Sequence, residues 1–163
     1  MTAENPGDVE PFVARDTVAL FTPVPNGKVL AAISALNGCR CDVVEVSNGT
    51  LAVMLDEREG AADRAARAVS VFIGDFPVLA MERRAGHLSV VRWQKGVRGE
   101  SLPPGLALDR APEAVVSLMT GAVTVDELIA RDPSAVHSGR MGRWRAYWSL
   151  RKLSREAKRG ARS

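Results

Sequence analysis

Histidine and cysteine are scarce, at two of each in 163 residues. A closed metal centre takes about four nitrogen or sulfur ligands, so one built on the two cysteines would need both His87 and His137 as well. Any imidazole-dependent reaction must rest on His87 or His137 alone. His87 begins an expected strand beside a turn, and His137 precedes Ser138 in an expected loop, where adjacency along the chain does not align a ring with a hydroxyl. Both are read as structural or solvated. Cys39 and Cys41 stand two apart, and a disulfide closing so short a loop is strained and gains little. They are read as reduced, partly buried thiols.

Catalytic signatures are missing as well. The chain has neither G-x-x-x-x-G-K-[ST], nor G-x-G-x-x-G after a strand, nor G-x-S-x-G, nor H-E-x-x-H. Its grouped carboxylates have plainer uses. Asp56, Glu57 and Glu59 share one loop, and Asp126 with Glu127 opens a helix, where negative charge suits the dipole. No catalytic residue, metal or cofactor is assigned, and a non-enzymatic protein is expected. No apolar run approaches the roughly 18 residues that span a bilayer, so no transmembrane segment is expected. The start, MTAENPGDVEPF, carries acids where a secretory signal carries a basic region, which favours a cytoplasmic location.

What is present begins with the stretch from Thr17 to Leu55, which reads as strand, helix, strand, tight turn, strand. Asn48-Gly49 sits between two runs of β-formers and suits the positive φ angles of a two-residue hairpin turn. That turn sets Val46 opposite Leu51 and Val44 opposite Val53, placing Val44, Val46, Leu51, Val53 and Leu55 on one buried face. The other face carries Val43 and Met54 beside Cys41, Glu45 and Ala52, which suits partial cover.

Residues 1–16 have the composition of a flexible acidic leader. A strand over residues 17–22 follows, then a helix capped by Asn26, the hairpin, and a helix over 61–73 with Ala65, Ala66, Val69 and Phe72 at helical spacing. Strands over 76–81 and 87–93 complete an order β-α-β-β-α-β-β, giving an α+β body over 17–93. The first six elements resemble the split βαβ arrangement of ferredoxin-like folds, two helices on one face of an antiparallel sheet. That resemblance is topological, and the fold hosts many functions. Residues 94–111 read as a Gly/Pro-rich connector, and 112–163 as a helical C-terminal region. Within it, Pro112 opens a helix to Thr120, Thr124 and Glu127 make a capping box, and a long helix starts at Ser138 or Gly139.

Charge is divided unevenly. Residues 1–137 hold 13 Lys+Arg against 18 Asp+Glu, net −5, whereas 138–163 hold 9 against 1, net +8. Such an acidic body with a basic tail suits either a polyanion partner or self-association. On the final helix, Ala146, Leu150, Leu153 and Ala157 make a narrow docking stripe. Trp144 and Trp148 fall on another side among Arg143, Arg145, Arg151, Lys152, Arg155, Lys158 and Arg159. Rings and cations so interleaved can stack on bases and contact phosphates, and nucleic acid is the partner expected first. They also suit an anionic membrane surface. Met141, Trp144 and Trp148 equally fit a helix fastened by its rings to the open sheet face, leaving only residues 151–162 free. A further alternative is an assembly module, in which the helix docks on the sheet, on a partner protein or on a second copy. A third possibility, an enzyme or small-ligand sensor, needs a deep polar cavity between sheet and helices.

Overall fold

The computed structural model describes residues 15–138, 140 and 142–161, with Arg143 described by its backbone only. The expected leader up to residue 14, together with Gly139, Met141, Arg162 and Ser163, lies outside the described residues.

Strand β1 is Thr17–Thr22. Helix α1, Gly27–Leu36, starts where Asn26 accepts the Val29 amide on its side chain at 3.2 Å. Strands β2, Cys41–Val46, and β3, Gly49–Met54, form the first hairpin. Helix α2, Ala61–Ile73, runs between Gly60 and Gly74, both at positive φ. Strands β4, Val78–Arg84, and β5, His87–Gln94, are joined by Ala85-Gly86, both also at positive φ. Strand β6, Val97–Leu102, is followed by α3, Pro104–Asp109, α4, Glu113–Thr120, and α5, Val125–Arg131. The short β7, Val136–Ser138, leads to α6, Arg143–Gly160.

The result is α+β: among the described residues, six helices and one seven-stranded antiparallel sheet in the order β6-β5-β4-β1-β3-β2-β7. Alternation along each strand feeds two cores. On one face Leu20, Val43, Ala52 and Met54 meet Leu30 of α1 and Val69 of α2. On the other, Val44, Leu51, Val53 and Met81 meet Val115 and Leu118 of α4 and Leu128 of α5. Each fully buried Val or Leu contributes about 1.5–3 kcal/mol.

Three expectations change. The face carrying Cys41, Val43 and Met54 is not partly open, because α1 and α2 seal it. The hairpin register also moves by two residues: Val46 faces Gly49, Val44 faces Leu51, and the loop is Ser47–Asn48 with Asn48 at φ 63°. An even shift keeps every side chain on its expected face. Gly49 belongs to the strand because β1 runs too close for a side chain there; an ideal Cβ would stand 2.3 Å from the Thr22 carbonyl oxygen. Finally, the expected connector after Gln94 is a turn at Lys95-Gly96, both at positive φ, followed by β6.

Both sheet edges are unsuited to pairing with another chain. The register between β5 and β6 shifts between Val91 and Trp93, the mark of a bulge, and β7 is three residues long.

Candidate nucleic-acid interface

Strand β2 supplies the anchors that bring α6 into place. Asp42 accepts two hydrogen bonds from the Arg140 guanidinium, at 3.1 Å from Nε and 2.7 Å from Nη2. Glu45 Oε1 accepts the Gly27 amide at 2.9 Å and stands 3.2 Å from His137 Nε2. The carboxylate therefore caps α1 at its positive end while holding β7. Beyond these ties α6 lies along α1. Ala146 is fully buried, Leu150 packs on the α1–α2 core, and Leu153 is half-buried. Ala157, the last residue of the expected docking stripe, is exposed.

The rings do not fasten this helix. Trp144 is 75% exposed, Trp148 54% and Tyr147 44%, which overturns the expectation that they cover the sheet. Ala146 takes the contact because its small side chain lets the two helix axes approach. Trp144 and Trp148 lie in near-parallel planes 20° apart with centroids at 6.4 Å, and Tyr147 stands edge-on to both. The Arg151 guanidinium sits 5.6 Å from the Trp148 ring centroid.

Around these rings stand the expected cations. At 100° per residue, Arg145, Arg151, Lys152, Arg155, Lys158 and Arg159 fan across about 140° of helix surface with both tryptophans among them. All six are exposed, and none enters an ion pair among the described residues. Arg143 stands at the head of the helix. The one acid of α6 is Glu156. Lys158 and Arg159 fall in the last turn, where the dipole favours positive charge.

Elsewhere the chemistry is quiet. His87 and His137 lie five strands apart, about 24 Å at the usual spacing, too far to act together. Cys39 and Cys41 are free thiols; burial raises both, pushing Cys41 up to about 12. No three His, Cys, Asp or Glu side chains among the described residues are grouped to hold a metal ion. A cavity of about 520 Å³ does open between the sheet and α4–α5, lined by Thr17, Arg83, Asp126 and others. Its one buried charge is committed to the framework: Arg83 donates to the Arg15 carbonyl, Thr17 Oγ1 and the Leu118 carbonyl. No helix among the described residues is long and apolar enough to cross a membrane.

Sequence reading missed β7 and the acids that hold it, because Asp42–Arg140 and Glu45–His137 join residues more than 90 positions apart. The only local hint is a pair of acids on a strand otherwise made of Cys and Val. Compared with known proteins, the chain matches no family model, no curated protein and no solved structure.

Proposed function

We propose that this is a small non-enzymatic cytoplasmic protein whose helix α6 binds a polyanion, nucleic acid first, from a body whose middle strands β4-β1-β3-β2 with α1 and α2 form a ferredoxin-like core. The observation that carries the reading is the union of exposed Trp144 and Trp148 with exposed Arg and Lys side chains that enter no ion pair among the described residues, all on one helix face. Solvated rings of this size cost free energy unless something covers them, and free cations concentrate phosphates. A bilayer surface is a poorer occupant. An interfacial helix needs an apolar face opposite its charges, and here Ala146 and Leu150, on that opposite side, are already spent on α1.

The test is a gel-shift or fluorescence titration of the full chain with mixed-sequence oligonucleotides over about 20–300 mM KCl. Binding that weakens steeply with salt is the expected result. Absence of binding at the lowest salt overturns the proposal.

The assembly reading has its own observation. Val71, Phe72, Phe76 and Val97 are exposed near the turn where Gly96 donates to Ser70 Oγ at 2.9 Å. Sedimentation at two protein concentrations separates the readings: a salt-insensitive dimer without nucleic-acid affinity favours assembly.

A further inference from the structure

Between α1 and α6 runs a cleft of about 350 Å³, lined by Lys28, His137, Ser138, Ser149, Lys152 and Glu156 among others. Two lysines and two serines line this space, residue types whose donors suit a phosphodiester. Lys152 also stands one helical turn beyond Trp148, so the cleft adjoins the ring surface directly. From the rings, the helix surface turns through Lys152 to Ser149 and then to the side buried against α1. A chain lying on Trp144 and Trp148 has a cationic way from there into the cleft.

We infer, building on the nucleic-acid reading above, that the strand α6 takes is unpaired: its bases stack on Trp144 and Trp148 while its backbone passes Lys152 into the cleft against Lys28, Ser138 and Ser149. Duplex nucleic acid keeps its base faces stacked on one another, so exposed indoles have nothing to engage there beyond contacts that cations make better. An indole carries a single donor and reads no base edge, which makes the surface tolerant of sequence. Lys28 lies on α1, outside the basic tail, and gains a role that the charge of α6 alone does not assign to it. Glu156 gives the idea a sign. A phosphate entering the cleft is repelled by that carboxylate, whereas a ligand confined to the rings is not.

The experiment measures binding of the full chain to a 12-nucleotide single strand and to a blunt duplex of the same sequence, at one salt concentration, by anisotropy and by tryptophan fluorescence. The single strand is expected to bind about ten-fold tighter and to quench the tryptophans. Lys28→Ala is expected to weaken it several-fold and to flatten its salt slope by about 0.7, the share of one phosphate contact on a single strand. Glu156→Gln is expected to tighten it, while Glu100→Gln, on the far sheet edge, changes nothing. Equal affinity for duplex with unquenched tryptophans, or a silent Lys28→Ala with a silent Glu156→Gln, overturns the inference and leaves a purely electrostatic surface. Absence of binding to both nucleic acids instead overturns the reading beneath it.

Discussion

His137 Nε2 lies 3.2 Å from Glu45 Oε1, on the same oxygen that accepts the Gly27 amide, so one carboxylate joins the edge strand β7 to the start of α1. Since α6 follows β7 and rests on α1, this contact sets where the basic helix begins. Glu45→Ala is expected to cost about 1 kcal/mol, a modest figure because the carboxylate is partly solvated. Gly27→Ala strikes the same place from the other side. Its Cβ would stand 2.5 Å from His137 Cδ2 and 2.9 Å from Glu45 Cγ, pushing the pair apart. Hydrogen exchange checks both variants: the Val136–Ser138 amides lose protection while β1 and β4 keep theirs.

Arg83 is a buried cation that makes no close ion pair among the described residues, and the Asp16 carboxylate only partly offsets its burial. Burial draws its guanidinium pKa down, and Arg15, Thr17 and Leu118 supply the oxygens that hold it. The Leu118 carbonyl belongs to the last turn of α4, where the helix dipole is negative. Arg83→Met strands these acceptors and is expected to cost about 2–3 kcal/mol in urea unfolding. Arg83→Lys recovers less than half, since one ammonium does not span three partners.

Cys41 gives a pH dependence whose sign follows from burial. Its thiol is pushed up to about 12 in the folded chain, above the ordinary value of 9.0, so the native state keeps a proton that the unfolded chain loses. The associated stability is complete below pH about 9 and is lost as pH rises toward the folded value, by at most about 1.4 kcal/mol per pH unit. Urea midpoints at pH 8 and 10, compared between the native chain and Cys41→Ala, isolate this slope from other titrations. The same burial keeps native Cys41 unreactive toward iodoacetamide at pH 8, with labelling expected only after unfolding.

Gly49 is expected to be among the least replaceable residues. A methyl group at Gly49 would meet the Thr22 carbonyl oxygen at 2.3 Å and Pro23 Cα at 3.0 Å, and these are backbone atoms without freedom to yield. Gly49→Ala should cost about 3 kcal/mol or more. Gly86→Ala, at φ 80° with open space around it, should cost only about 1 kcal/mol.

Gly49 also shows why some of the fold was legible in the sequence and some was not. Asn-Gly announced a hairpin, and the hairpin is there, but its glycine serves β1 packing, a long-range fact that a dipeptide does not carry. Local signals translated directly: Thr124 and Glu127 exchange the two hydrogen bonds of their capping box, at 2.8 and 3.2 Å. Gly96 and Gly99 looked like linker residues, yet one makes a turn at φ 76° and the other lies too close to the Arg92 carbonyl for a side chain. The candidate site divides the same way. Spacing brought its rings and cations to one face; which face α1 would claim depended on tertiary contact at Ala146.

That contact separates two roles for the tryptophans. If Trp144 and Trp148 fastened α6 to the body, removing either would cost several kcal/mol, as large-to-small changes in a core do. Exposed at 75% and 54%, they meet chiefly each other, Tyr147 and Arg151. Trp144→Ala and Trp148→Ala are therefore expected to shift unfolding by less than about 0.5 kcal/mol each. Ala146→Trp, by contrast, forces a large ring between α6 and α1 and should lift the helix from its seat. Urea unfolding of the three variants, followed by circular dichroism, checks the ranking. An outcome with the tryptophan variants silent in stability but about ten-fold weaker on single-stranded nucleic acid would leave binding as the use of these rings.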